Sequence, residues 1–564
     1  MLLVTSVVQA QTNRLFIPET LSGTTFNLNM APGSHEFSPG KLTQTLAFNG
    51  SFLGPTLIFN KGDFVELNVT NQIGEPTTVH WHGMHVSPKN DGGPHTVIAD
   101  GTTWRPSFEV MDRATTFWYH PHLHHKTDEH VYRGLAGMII VRDPVEALLA
   151  LPRDYGVDDI PVIIQDRDFD PQGQLVFDGG GVGASGNTII VNGTVRPFVE
   201  VGAGVVRFRI LNGSNARVYQ LGLDDGSSFW QIGSDGGLLN APVAMNRLKL
   251  APGERAEVLL DLSGKAGQTK TLMSYSSELI RAEPGGNAEA LGGPPPQPGI
   301  IDGTNFSIMQ IRIAGSTAIS SIPATLVEIE SIPESAANRT RQMILGQRPG
   351  IRGQQIINGV AMDLNVINEV VTLGDTEIWY VSNETPVPHP FHIHDVQFQI
   401  LDRNGVSPEL NERGWKDVVL VYPRETVRFI TKFEDFADPD TPYMYHCHFL
   451  GHEDGGMMGQ FIVLDPSATF IEPSQLPNGD FTVSIYPNPF VGWTTISYSL
   501  EKRSNVRITI YDTLGREVVM LFDGSRDAGP NESIWKADNV PSGTYLIQLD
   551  VDGTAVTHPV HIRK

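Results

Sequence analysis

The chain has 564 residues, 40% hydrophobic and 18% charged, with 57 Gly and 39 Pro; that length exceeds a single core and that composition favours roughly three to five domains of short strands and turns. A formal charge of −23 excludes a nucleic-acid partner, which would need clustered Lys and Arg. One cysteine excludes an intrachain disulfide, and no apolar stretch approaches the ~20 residues of a membrane-spanning helix.

The first eleven residues, MLLVTSVVQAQ, read as the tail of a secretory signal peptide, with Leu2 to Val8 as its apolar core and Val8-Gln9-Ala10 as the cleavage site. A first β-sandwich is expected over residues 12–145. Its stretch Asp63-Phe-Val-Glu-Leu-Asn-Val-Thr70 alternates as a half-buried strand does, and it carries His80-Trp81-His82 and Trp118-Tyr119-His120-Pro121-His122 before Gly137-Met-Ile-Ile-Val-Arg-Asp-Pro144. Residues 146–321 read as a second sandwich without metal, because no histidine occurs between Val131 and Pro388; Glu283 to Gly299, with Pro294-Pro295-Pro296, is a surface loop by composition. A third sandwich, 322–470, repeats the first. His392-Ile393-His394 precedes Met444-Tyr445-His446-Cys447-His448, and Gly459-Gln-Phe-Ile-Val-Leu-Asp-Pro466 closes it. A small β-sandwich over 480–564 begins with Tyr486-Pro-Asn-Pro489 and has no catalytic cluster.

Ten of the 18 histidines sit in patterned positions, and eight of them form four His-x-His pairs: His80/His82, His120/His122, His392/His394 and His446/His448. On a strand each pair presents both rings to one face, so four strands can converge eight imidazoles. Eight neutral rings packed together are unfavourable unless a metal uses their lone pairs. The same parity turns His389 and Cys447 to the opposite face from their histidine neighbours. With His452 and Met457 they form a second set of two His, one thiolate and one thioether, the ligands of a blue electron-transfer copper. Zinc would need only four ligands per ion, usually richer in Cys. His124, His125 and His130 read as exposed loop histidines, and His85 and His95 as structural.

These motifs, with Asp91-Gly-Gly-Pro94, Ser234-Asp-Gly-Gly-Leu-Leu239, Gly414-Trp-Lys-Asp417 and His452-Glu-Asp454, resemble the multicopper oxidases over residues 40–466, the copper-efflux branch most closely. The resemblance implies an all-β chain of three cupredoxin-like Greek-key sandwiches and four coppers. His80 and His392 would hold the type 2 copper. His82, His120 and His448 would hold one type 3 copper, and His122, His394 and His446 the other. His389, Cys447 and His452, with Met457 axial, would hold the type 1 copper. It further implies one-electron oxidation of a small reducing substrate coupled to reduction of O2 to water, with Glu453 and Asp91 delivering protons.

The methionine-rich cover of copper-efflux oxidases is missing, since Arg341 to His389 contains only Met343 and Met362. Phenols or aromatic amines are therefore the expected substrates. Asp363 resembles an acidic metal-substrate position and keeps Cu(I) open; it is otherwise a turn residue. A copper-binding surface protein without turnover is the alternative from another class, and a two-domain nitrite reductase is disfavoured by the four His-x-His pairs. Tyr486-Pro-Asn-Pro489, Tyr511-Asp-Thr-Leu-Gly-Arg516 and Pro541-Ser-Gly-Thr-Tyr545 resemble the sorting domain of the type IX secretion system, otherwise an accessory immunoglobulin-like module. That implies export through the periplasm of a Bacteroidetes-like Gram-negative bacterium to the cell surface or medium. A monomer is expected.

Overall fold

The computed structural model describes residues 12–466 and 481–562, apart from 180–185, 281, 287–300, 318, 349–353, 487, 489, 491, 513–514 and 538–539. The signal-like start and most of the loop expected over Glu283 to Gly299 lie outside the described residues. The chain divides into a large unit, Met1–Leu464, and a small one, Asp465–Lys564.

The large unit is built from three pairs of β-sheets, as the all-β expectation requires. In the first pair one sheet runs Thr20–Ser22, Thr56–Asn60, Gly137–Arg142, Thr115–His120, His80–His82, and the other Lys41–Phe48, Thr25–Ser38, Phe64–Asn71, Thr103–Trp104. Phe26, Leu28, Leu57, Phe59, Leu67 and Phe117 fill the space between them. The third pair repeats four strands of this order, Glu369–Thr372, Met458–Leu464, Asp438–Cys447 and His389–Ile393, and adds Val418–Val421 beyond the last to complete the sheet that carries its histidines. The middle pair has seven and six strands around Val162, Phe208, Ile210, Val258 and Ile311; the segment Asn13–Arg14 adds to its six-stranded sheet beside Pro197–Ala203.

The duplication extends to single contacts. Tyr119 pairs with Gly137 and Tyr445 with Gly459 at the same place in the two repeats. A Cβ at either glycine would strike the ring of that tyrosine, so only glycine lets the aromatic lie flat across the neighbouring strand.

The small unit contains a three-stranded sheet (Phe481–Tyr486, Trp493–Leu500, Gly529–Lys536) and a four-stranded sheet (Glu517–Arg526, Ser504–Asp512, Gly543–Val551, Thr554–Ile562). Ile496, Ile508, Ile510, Trp535 and Ile547 form its core.

Candidate metal centre

Strand alternation separates the site from the cores. In His80–His82 the middle residue, Trp81, enters the first core and stacks on Trp104, which leaves both histidines on the other face. Tyr119 likewise enters the core beneath His120. His120 pairs with His80 across the sheet, and His392 with His446, so rings from two strands share each face. The first and third sandwiches meet through these rings. His122 Nε2 lies 3.1 Å from both His446 Nε2 and His394 Nε2, and His448 Nε2 lies 3.3 Å from His82 Nδ1.

The opposite face of the third repeat holds the sulfur. Phe391 pairs directly with Cys447, and His389 shares their parity. Cys447 Sγ lies 3.4 Å from His389 Nδ1 and 3.7 Å from His452 Nδ1, and the two imidazole nitrogens are 3.1 Å apart. Met457 is buried in the same core; its N–H donates to His452 O and its carbonyl accepts from the Cys447 N–H. Thr385 Oγ1 lies 2.6 Å from His389 Nε2, on the far side of that ring.

Among the described residues, five groups of three donors have ligand atoms within 4.8 Å of one another: His80, His82 and His392; His82, His120 and His448; His122, His394 and His446; His389, Cys447 and His452; and His80, Asp91 and His394. The chemistry of these atoms suits a metal. His80 donates from Nδ1 to Asp91 O and His392 from Nδ1 to Asp417 O, so each ring turns an Nε2 lone pair inward. Both of those Nε2 atoms are buried without a hydrogen-bond partner, which is costly unless a cation accepts the lone pairs.

Burial drives His82, His122, His389, His392, His394 and His448 well below the usual imidazole range, and His120 and His452 to about 3. Those rings are therefore neutral, with lone pairs available to a metal. Burial also pushes the Cys447 thiol well up, so its thiolate requires the charge of a bound cation.

The two acidic residues expected at the site are there. Asp91 Oδ2 lies 2.8 Å from His394 Nδ1, and Asp91 is only 1% exposed. It ends the helix Pro88–Asp91, and Gly92 follows at φ +80, where a Cβ would strike the Val79 carbonyl. Glu453, on the helix Leu450–Asp454, sits 3.4 Å from His122 Nδ1 and 3.2 Å from His446 Nδ1. Burial alone would raise its carboxyl, but the facing His122 and His446 rings hold it down at about 2.

Asp363 is exposed, and its carboxylate accepts from Asn365 N and Nδ2, as in an Asx turn. The expectation of exposed loop histidines holds for His125 and fails for His130, which is fully buried on the helix Thr127–Tyr132 between Thr77 Oγ1 and Glu75 Oε1; His124 is half-buried. The helix packs its inner face against the first repeat, and a His-rich loop motif carries no sign of that.

Sequence reasoning did not single out Asp417, Arg255 or Thr385. Asp417 stood only inside a motif; Arg255 and Thr385 have no pattern of their own.

Multicopper oxidase family models match residues 29–146 and 334–467, and a model of the secretion system C-terminal sorting domain matches residues 484–563. The chain is 34% identical over 444 residues to a multicopper oxidase of Staphylococcus haemolyticus, covering 78% of this chain and 88% of that one. It is 35% identical over 459 residues to the cell division protein FtsP of Photorhabdus laumondii, covering 79% and 90%. Among solved structures it resembles the McoA multicopper oxidase of Aquifex aeolicus (35% identity, TM-score 0.73, 81% and 100% of the two chains). It also resembles a laccase-like multicopper oxidase of Ochrobactrum (33% identity, TM-score 0.71, 80% and 100%).

Proposed function

The chain belongs to the multicopper oxidase family, and on that premise we propose a laccase-like oxidase in which phenols or aromatic amines give up electrons one at a time and O2 is the final acceptor. The observation that carries the reading is the opposition of two complete donor sets across one strand, Cys447 on one face and His446 on the other.

We assign His389, Cys447 and His452, with Met457 axial, to a type 1 copper, and His80 and His392 to a type 2 copper. His82, His120 and His448 take one type 3 copper and His122, His394 and His446 the other, four coppers per chain. Copper held there would supply one-electron uptake from the donor and four-electron reduction of O2 to two waters. The peptide then serves as a wire: Cys447 touches the first site, and its chain neighbours His446 and His448 belong to the two halves of the second. Glu453 and Asp91, beside His122, His446 and His394, pass on protons, of which the reduction consumes four.

A groove of about 670 Å³ offers the donor a place. The apolar Ile344, Ile356 and Pro386 and the polar Gln342, Asn358 and Glu384 line it, and Thr385 joins it to His389. A flat aromatic alcohol or amine suits such a surface. Met343 is fully buried, so its soft sulfur does not present itself to Cu(I).

The small C-terminal unit is a sorting domain. We infer type IX export through the periplasm, to the surface or medium, of a monomer with domains at 12–145, 146–321, 322–470 and 480–564. Oxygen uptake by the copper-loaded protein decides the reading: faster uptake with a methoxyphenol than with Cu(I) supports it. Faster uptake with Cu(I) makes the chain a cuprous oxidase, and none with either makes it a copper-binding protein.

A further inference from the structure

Arg255 opens the strand Arg255–Asp261 of the middle sandwich and is 1% exposed, so its five N–H donors must find acceptors inside the protein. All five do. Nε donates to Thr116 O (3.0 Å), Nη1 to Gly253 O (3.1 Å) and Asp417 Oδ1 (2.6 Å), and Nη2 to Asp235 O (2.9 Å) and Asp417 Oδ2 (2.6 Å). The acceptors come from all three sandwiches.

Three of these four residues, Asp417, Thr116 and Gly253, each lead to one imidazole. Asp417 Oδ1 also lies 3.2 Å from His82 Nε2. His82 consequently turns Nδ1 inward, 3.4 Å from His120 Nε2 and 3.3 Å from His448 Nε2. His80, His120, His392 and His446 do the reverse, spending Nδ1 on a backbone carbonyl and turning Nε2 in. Thr116 lies on the strand that ends in His120. Gly253 lies flat on His448, where an added Cβ would come within 2.9 Å of the ring. Lys416, next to Asp417, is engaged by Asp235 (2.8 Å) and Glu254 (3.0 Å), so Arg255 is the cation bonded to Asp417 among the described residues.

We propose that Arg255 is a positioning residue for the copper held by His82, His120 and His448. The middle sandwich, which contributes no histidine, acts on the oxygen-reducing site through that fork: Arg255 fixes Asp417, and Asp417 fixes which nitrogen of His82 faces the metal. This rests on the ligand assignment above. A lysine keeps the charge and loses the planar two-point grip on the carboxylate.

The test compares the fully copper-loaded parent with Arg255→Lys and Asp417→Asn. Copper per chain, the blue band and the spin-resonance spectrum are followed through a graded chelator series. Loss of such an outer contact weakens metal binding about 10–100-fold. Both variants are therefore expected to release one copper early and keep the blue band. As that copper leaves, the other member of the coupled pair becomes visible to spin resonance. Retention of all four coppers by both variants, with unchanged spectra, overturns the proposal. Loss of every copper together with a collapsed melting transition also overturns it, since Arg255 would then serve the fold and no particular site. His82→Ala with parental copper content and spectra would sink the ligand assignment itself instead.

Discussion

Cys447 Sγ lies 3.4 Å from His389 Nδ1 across 58 residues of chain, because the strands that carry them are direct neighbours and both side chains point into the third sandwich. The histidines beside Cys447 point out of that sandwich toward the first one. A single turn of strand parity thus gives one peptide two chemical faces.

Replacing Cys447 with Ser should abolish the blue absorption and oxygen uptake while three coppers remain bound, since none of the eight outward rings loses a contact. Metal analysis beside the visible spectrum checks this. Persistence of a blue band would overturn the type 1 assignment, because the chain has no other cysteine.

Met457→Leu removes a polarisable sulfur from a buried position and leaves a side chain of similar volume. The fold should lose less than about 1.5 kcal/mol. The type 1 potential should rise, because the axial ligand helps tune it. Redox titration reads the shift, and an unchanged or lower potential removes Met457 from the ligand set.

Glu453→Gln keeps the shape of a side chain held between His122 and His446 but cannot carry a proton. Copper content and colour should be kept, and turnover should fall by about 10²–10⁴, the usual contribution of a positioned acid or base. Steady-state oxygen uptake at the parental rate would rule the carboxylate out of proton delivery.

Copper removal and acid should act together on stability. The buried site histidines have folded-state values far below ~6.5, the ordinary imidazole value, with His120 and His452 at about 3. Between those limits the unfolded chain binds more protons than the folded one, so stability rises with pH. The copper-free protein should melt lower as pH falls from ~6.5 toward about 3, the window those histidines define. Copper present at about 1,000 times its dissociation constant adds about 4 kcal/mol per independent site. Scanning calorimetry of both forms at two pH values tests the sign; a copper-free form that melts alike at both would contradict it.

Deleting residues 480–564 should stop export and leave the oxidase intact, since the large and small units each have their own core. Fractionation of the producing cells, with activity measured in each fraction, checks both halves. Normal export of the truncated chain would refute the sorting role.

Much of the site was legible from spacing. His-x-His on a strand needs no tertiary information to place two rings on one face, and His389 could be set apart from His392 by parity alone. The two-fold repeat was equally plain, from Tyr119-His120-Pro121-His122 and Tyr445-His446-Cys447-His448, each followed by a stretch that ends in Asp-Pro; the Tyr119–Gly137 and Tyr445–Gly459 pairs emerged only in the folded sheets. His130 was misjudged because exposure depends on what packs over a helix, and the covering residues, Thr77 and Glu75, lie more than fifty positions earlier.

The run from Tyr445 to His452, with Met457, by itself determined that this chain pairs a sulfur-containing site with an imidazole cluster, because alternation along a strand is a local property of the backbone. Only the tertiary structure decided which nitrogen each ring turns inward. That choice belongs to the partner on the ring's other side, and for His82 the partner is Asp417, 335 residues away and held in place by Arg255 of the middle sandwich. A hydrogen bond between residues so far apart leaves no periodicity in the chain; it exists only once three separately folded cores are packed together.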